Sequence, residues 1–293
     1  MSPLNRREFL KTTMAAGALA GAGALPLHAA RRTATDMVIL GNSGMKVTRL
    51  AFGTGSNNGH VQAALGQKEF SRLIAYAYDR GIRFFETAES YMTPAMLGEA
   101  LKPFPRDSYQ LMHKVTTDRH ADPQKRFDDL RRVSQTEYFD IMLLHYQHTS
   151  NWMEETKHWQ EGMLQAQSKN IIKTRGASVH GLPALRQVPG NKFLEVAMIR
   201  MNHNGTRMDG PVPDAPEPGN VQEVVSHVKQ VKSEGMGVIS MKLCGDGTFT
   251  KHEDRQAAMR FAFQHAGIDC ATVGFKSTQE IDEAIDNMNL ALA

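Results

Sequence analysis

Short β-rich apolar runs alternate along this chain with stretches whose apolar residues recur at helical spacing. The runs stop at small or polar positions near Gly53, Glu86, Lys114, His145, Ser178, Asn202, Met241 and Gly274, at intervals of 33, 28, 31, 33, 24, 39 and 33 residues. About 30 residues make one strand, one helix and their turns, so eight in succession predict a single (β/α)8 TIM barrel. Individual units are legible. After the strand at Leu50–Thr54, residues Phe70, Leu73, Ile74 and Ala77 place an apolar stripe on one helical face, and Gly81 stands where that helix would stop. Ile141-Met142-Leu143-Leu144 is unbroken apolar sequence ending at His145, the pattern of a parallel strand covered on both faces. Val238–Met241 and Ala271–Gly274 repeat it, the second ahead of an Ile- and Ala-rich helix from about Gln279 to Asn289. Before the barrel, Met37–Leu40 and Met45–Val47 flank Gly41-Asn42-Ser43-Gly44, which predicts an N-terminal β-hairpin.

The first 30 residues follow a different pattern. Asn5-Arg6-Arg7-Glu8-Phe9-Leu10-Lys11 precedes a weakly apolar Ala/Gly/Leu run from Met14 to Leu27 and the small-residue site Leu27-His28-Ala29-Ala30. This reads as a twin-arginine signal, which predicts a periplasmic or otherwise exported protein, the twin-arginine translocation machinery as a partner, and a barrel domain over 31–293. A free amphipathic N-terminus is the alternative. The run is too short and too rich in Gly and Ala for a comfortable span of about 20 apolar residues, so no stable membrane anchor is expected. Without residues 1–30 the formal charge falls from +3 to about +1. With no long Lys/Arg stripe, a nucleic-acid partner has no support. Cys244 and Cys270 lack CxxC spacing and are too few for a disulfide framework, which leaves them as core thiols.

The candidate chemistry lies in Phe85-Glu86-Thr87-Ala88-Glu89-Ser90-Tyr91, Lys114 and His145. In a barrel the ends of the second, third and fourth strands and the loop after the second converge over one mouth, gathering a carboxylate, a phenol, an ammonium and an imidazole. A phenol near its unperturbed pKa of about 10 is a weak acid at neutral pH, whereas a neighbouring ammonium favours the phenolate and an imidazole can orient or relay the proton. Such a set suits proton delivery to a carbonyl. Taken singly, Tyr91 reads as a packing aromatic, Lys114 as a rim charge and His145 as a core histidine; it is their joint placement that points to a site. The proline-rich stretch from Arg207 to Asn220 must be a long loop on the same face, either covering a ligand or lying on the surface. His145 and His148, extended by His113 or His180, show no HxH or HExxH spacing, so no metal is expected. Asp122, Asp128, Asp129, Glu154, Glu155 and Glu161 fall in predicted helices or their caps as a solvated outer ring, without the facing carboxylates of a glycosidase. No GxGxxG opens a helix after the first strand, which disfavours a doubly wound dehydrogenase.

The Glu86–Tyr91 segment resembles the active-site motif of the aldo-keto reductase family, in which an Asp opens the motif and a Tyr closes it; here the first position is Glu86. The resemblance runs from Leu40–Gly44 through Gly81–Phe85 to Gly274–Ser277. It implies that Tyr91 is the general acid as hydride arrives from a nicotinamide, NADP or NAD, that Lys114 lowers the phenol pKa while pairing with Glu86, and that His145 orients the carbonyl. Gly53-Thr54 matches a cofactor-side turn, and Ser178 the residue that contacts the nicotinamide carboxamide, with Val179 in place of the usual Asn. Asn202 stands near a polar position under the nicotinamide, without the common stacking Tyr. Lys242 lies in the pyrophosphate segment beside Asp246. Lys276 and Ser277 match the pair that holds a 2′-phosphate, with Asp282 where an Arg is usual. The implied function is hydride transfer between a nicotinamide cofactor and an aldehyde, ketone or sugar carbonyl. The departures leave a non-redox isomerase or lyase, or a small-molecule binding protein, as the alternative on the same barrel.

Overall fold

Apolar runs become strands where the pattern places them, in a computed structural model that describes residues 31–215 and 217–293. The expected export segment, residues 1–30, lies outside the described residues. An antiparallel hairpin, β1 (Met37–Ile39) and β2 (Lys46–Thr48), precedes the barrel strands β3 (Leu50–Gly53), β4 (Phe84–Glu86), β5 (Gln110–Val115), β6 (Phe139–Gln147), β7 (Ile172–Val179), β8 (Val196–Arg200), β9 (Gly237–Met241) and β10 (Cys270–Gly274). These eight are parallel, pair in sequence order and close through β10 onto β3. The principal helices, one after each barrel strand, are α1 (Gly66–Asp79), α2 (Pro94–Leu101), α3 (Pro123–Val133), α4 (Lys157–Ser168), α5 (Leu182–Leu185), α6 (Val221–Ser233), α7 (His252–Arg260) and α8 (Thr278–Leu292). The two intervals that depart most from the repeat have local causes. α5 is a single turn, which shortens the fifth unit, and a loop of residues 201–220 joins β8 to α6, which lengthens the sixth.

Local chemistry explains where helices start and stop. Asp122 caps α3 by accepting from Gln124 N at 2.8 Å, with Pro123 in the first turn, where its missing N–H costs nothing. Asn220 and Ser277 cap α6 and α8 in the same way. α1 buries Phe70, Leu73, Ile74 and Ala77, the stripe legible in the sequence, and the chain turns away at Gly81 with φ of +96°, a conformation that favours glycine. That stripe packs against outward-facing strand residues: the rings of Phe52 and Phe70 lie 6.3 Å apart and those of Phe52 and Phe275 5.2 Å. Each fully buried Phe contributes about 2–3 kcal/mol of hydrophobic stabilisation.

Inside the barrel the alternate strand residues form a second core from Ala51, Phe84, Met112, Ile141, Leu143, Val196, Met198, Ile239 and Cys270. Leu40 and Val47 of the hairpin segment join it from below, so the hairpin plugs the floor of the barrel. Gly41 makes this docking possible. It bridges to Met236 just before β9 with φ of +51°, and Asn42 N donates to Gly235 O at 2.7 Å. A Cβ at Gly41 would collide with the Gly235 carbonyl and the Gly237 amide.

Gly41→Ala is therefore expected to destabilise the protein by on the order of 2–3 kcal/mol, through steric overlap and an unfavourable backbone conformation. Urea denaturation checks this; a midpoint unchanged from wild type would show that the plug is not held through this contact.

Candidate active site

Strand alternation carries the interior pattern one layer up to the C-terminal mouth. Two residues beyond Phe84, Met112, Leu143, Gly176 and Met198, on the same face, come Glu86, Lys114, His145, Ser178 and Arg200. Glu86 and Lys114 are 2% and 1% exposed, and their carboxylate and ammonium are in contact. Lys114 Nζ also donates to Thr87 O at 3.1 Å and lies 4.6 Å from the centroid of the Tyr91 ring. The His145 ring stands perpendicular to that of Tyr91 with centroids 5.7 Å apart, and its Nδ1 is 3.3 Å from Ser90 Oγ. The loop carrying Tyr91 is fastened by Glu89, whose backbone N donates to Lys114 O at 2.9 Å and whose carboxylate accepts from Thr116 N at 2.8 Å and pairs with Arg126. Glu86, Tyr91, Lys114 and His145 thus come together.

The electrostatics of this cluster differ from expectation at one point. Burial, and after it the Asp246 carboxylate, hold the Tyr91 phenol above its ordinary range. The expected lowering by Lys114, whose Nζ lies 4.6 Å from the ring centroid, is not found, because burial of the phenol dominates. Burial and then the charge of Lys242 pull Lys114 well below its usual value, while contact with Glu86 opposes that loss of charge. His145 is driven well below its usual value by burial, followed by Lys114, His113 and Lys242, which keeps the imidazole neutral at pH 7.

The expected cofactor positions divide into two groups. Gly53 and Thr54 are buried: Gly53 lets the Glu86 carboxylate pass close to β3, and Thr54 Oγ1 lies 2.8 Å from Thr93 Oγ1. Asn202 gives its amide hydrogens to Thr206 O at 2.6 Å and Lys242 O at 3.3 Å and accepts from Gly205 N, so it knots the β8–α6 loop. Ser178 Oγ accepts from Tyr146 N at 3.1 Å and keeps its own hydrogen to donate. Lys242 is half-buried and paired with Asp246 at 2.8 Å; Lys276 is exposed, beside Ser277 at the start of α8. Asp282 is turned to Arg80 at 2.8 Å and to the Tyr76 hydroxyl at 2.7 Å, so its charge is met within the helix wall. Two cations and a hydroxyl hydrogen fit the phosphates and carboxamide of a nicotinamide dinucleotide. A phosphate reaching Lys242 must exchange with Asp246.

Sequence reasoning missed two features. Gly55 is the first: a Cβ there would overlap the Tyr91 ring and hydroxyl, so only glycine admits the phenol at this place. The second is a polar network beside His145. Arg200, 2% exposed, contacts His180 Nδ1, lies 2.7 Å from Asp214 Oδ1 and 3.8 Å from Asp209 Oδ1, and donates to Pro213 O. The Tyr146 hydroxyl donates to Asp214, and the Tyr146 and His180 rings lie 4.4 Å apart. The available signal was an arginine closing an apolar strand, which demands anionic partners. His113 lies on the opposite face of β5 from Lys114, against Phe139. Among the described residues no group of three or more His, Cys, Asp or Glu could hold a metal, and no helix is long and apolar enough to cross a membrane. Cys244 and Cys270 are free thiols.

With this geometry in view, comparison with known proteins is specific about family. A sequence profile described as the Aldo/keto reductase family matches residues 49–288. A probable aldo-keto reductase 1 of Glycine max is 31% identical over 134 residues, 41% of this chain and 38% of that protein. Methylglyoxal reductase DkgA of Escherichia coli O157:H7 is 28% identical over 142 residues, 44% of this chain and 50% of that protein. The aligned part thus spans half or less of these relatives. Among solved structures, a putative aldo-keto reductase from Pseudomonas aeruginosa superposes with a TM-score of 0.69 at 18% identity, covering 90% of this chain and 99% of that one. An aldo/keto reductase from Klebsiella pneumoniae, in complex with NADP and acetate, gives 0.66 at 15% identity over 88% and 90%. At these identities the structural likeness speaks for the fold.

The buried network yields a pH-dependent expectation. Burial raises the Asp209 carboxyl to about 6 against the opposing effects of Arg200 and the Gly181 N–H. A raised folded-state value favours the protonated form, so this contribution to stability is complete below about pH 4 and is lost as the pH rises through about 6. Asp209→Asn, which keeps an acceptor for Gly181, should raise stability at pH 7.5 by on the order of 2–3 kcal/mol and lose that advantage near pH 4. Thermal melts at the two pH values decide; an equal difference at both excludes the titration.

Proposed function

The chain belongs to the aldo/keto reductase family, and from that premise we propose that it reduces the carbonyl of a small molecule with a nicotinamide cofactor, using Tyr91 as the proton donor. The observation that carries this reading is the meeting of Tyr91 with the Lys114–Glu86 pair and a neutral His145 at the barrel mouth. A bound nicotinamide would supply the hydride. Ser178, Lys242 and Lys276 are the residues that would hold it, as NADP or NAD.

The chain's own residues manage the proton. The phenol, kept above its ordinary range, is fully protonated at neutral pH and able to donate to a carbonyl oxygen. As that oxygen gains alkoxide character it becomes a far stronger base than a phenolate, so transfer from Tyr91 runs downhill. The phenolate left behind has the Lys114 ammonium 4.6 Å from its ring centroid, held there by Glu86 and Thr87 O, and spreads its charge into the ring that the ammonium faces. His145, being neutral, can donate one ring N–H to the carbonyl without placing a second proton in competition. Small aldehydes, ketones or open-chain sugars are the substrates such a site suits. One observation favours the cofactor-free alternative: the charge of Lys242 is already taken by Asp246.

Tyr91→Phe separates these readings. It should lower carbonyl reduction by about 10²-fold or more while nucleotide binding, followed by fluorescence titration, stays within about threefold. A variant keeping more than about a third of the wild-type rate removes Tyr91 from the acid role, and a wild-type protein that binds neither NADP(H) nor NAD(H) below millimolar concentration favours the isomerase or binding protein.

Export is the second part of the proposal. Arg6-Arg7 and the Ala/Gly/Leu run support passage through the twin-arginine machinery as a folded protein, which would allow a cofactor to be loaded before export. Replacing both arginines by lysine is expected to retain the protein in the cytoplasm. Equal periplasmic yields of both forms would rule this out.

A further inference from the structure

Arg200 closes β8 almost without exposure, and the partners that neutralise it come from one segment, the loop joining β8 to α6. The two carboxylates are unlike. Asp209 is fully buried and also accepts from Gly181 N at 2.6 Å, so it belongs to the scaffold. Asp214 has a side chain 55% exposed, yet both its oxygens are engaged from below, Oδ1 by Arg200 Nη2 at 2.7 Å and Oδ2 by the Tyr146 hydroxyl. A planar carboxylate therefore dips from solvent onto two donors. Those donors adjoin the proposed proton-transfer residues: by ring centroids, Tyr146 lies 4.4 Å from His180 at a tilt of 50°, His180 6.4 Å from His145, and His145 5.7 Å from Tyr91. His180 Nε2 is buried without a hydrogen-bond partner, and Arg200 Nε faces Asp209 Oδ1 at 3.8 Å, beyond hydrogen-bond reach, so the network has donor capacity its own chain does not fully use.

We propose that Arg200 and the Tyr146 hydroxyl form a carboxylate subsite of this mouth, that Asp214 occupies it as an internal stand-in, and that the substrates are small carbonyl compounds bearing a carboxylate. The assignment rests on the carbonyl-reduction reading for its reaction, and on geometry alone for its anion. A half-exposed surface carboxylate is cheaply exchanged, because its ion pair is screened and it regains water when it leaves. An incoming carboxylate takes the same two hydrogen bonds, one oxygen on the guanidinium and one on the phenol, and these charge-assisted contacts supply orientation as well as affinity. The carbonyl end of a short chain then extends along the floor of the mouth toward His145 and Tyr91. Arginine suits this role better than lysine since its planar fork matches a carboxylate, and the Tyr146 hydroxyl adds the second donor.

Succinate is the probe, as an unreactive dicarboxylate, with butyramide as an uncharged counterpart. Calorimetric titration of the full chain should show succinate binding to wild type, binding about 10-fold tighter to Asp214→Ala, from which the competing carboxylate is gone, and weaker binding to Tyr146→Phe; butyramide should discriminate among none of them. Inorganic phosphate should bind more weakly than succinate. Arg200→Gln should abolish succinate binding, but because it strands Asp209 and can unfold the chain, the decision rests on Asp214→Ala. Succinate affinity equal within twofold in wild type and Asp214→Ala overturns the proposal, as does phosphate binding as tightly as succinate. Failure of the reductase reading is distinguishable, since succinate binding needs neither hydride nor Tyr91. If succinate behaves as expected while succinic semialdehyde and butyraldehyde both go unreduced with NADPH and NADH, the subsite stands and the reductase reading falls. If both are reduced, succinic semialdehyde should exceed butyraldehyde by about 10-fold in kcat/KM.

Discussion

The contact between Glu86 and Lys114 is where the rest of the mouth begins. Each group is nearly devoid of solvent, and an isolated charge so placed would cost several kcal/mol in lost hydration. The pair is tolerated because adjacent strands bring the two side chains to one layer and because Thr87 O takes a further ammonium hydrogen. Once the ammonium is pinned, the ring of Tyr91 has a cation beneath its face, and Gly55 leaves room for the hydroxyl end. The extra methylene of Glu86 relative to the family's Asp does not break the pair. Gly53 yields the space through which the longer carboxylate passes.

The same economy is repeated around the mouth. Lys114 faces Glu86, Lys242 faces Asp246 and Arg200 faces Asp209 and Asp214, so these three cations all enter the resting state with carboxylates of the same chain. Pairing lowers the field that would otherwise pull anions in from solution, and a phosphate or carboxylate arriving there gains by exchange rather than by simple attraction. The pairs differ in depth. Glu86 and Asp209 are buried, whereas Asp214 and Asp246 are accessible to solvent. A buried inner set thus holds Tyr91, Lys114 and His145 in one layer, while an accessible outer set carries the carboxylates that an incoming anion would have to displace.

Family membership and local chemistry bear on different properties of the protein. Membership speaks for the barrel and for a tradition of nicotinamide-dependent carbonyl chemistry. The polar groups of Thr54 and Asn202, committed to Thr93 and to the loop after β8, show that several positions have been put to structural use in this chain. The Glu86, Tyr91, Lys114 and His145 cluster keeps the residue types that proton delivery to a carbonyl would need.

Much of the fold was legible because a closed parallel barrel imposes a repeat: buried strands must be apolar, helices must return at 3.6-residue spacing, and both signals are local. Glu86, Lys114 and His145 were legible for the same reason, since parity along a strand decides which face a residue occupies. The hairpin, the α1 stripe and the stop at Gly81 followed from the same local rules. The sense of the Tyr91 shift was not legible, because it depends on how much water the assembled mouth excludes from the phenol and on the Asp246 carboxylate brought near it. Nor was the Arg200 network, whose members Tyr146, His180, Asp209 and Asp214 come from the end of β6, the turn after β7 and the β8–α6 loop. Sequence by itself determined the repeat, the layer and the residue types at the mouth, all of them consequences of short-range periodicity. Tertiary structure alone decided which charges meet, because the balance between desolvation and pairing is set by distances that no single segment contains.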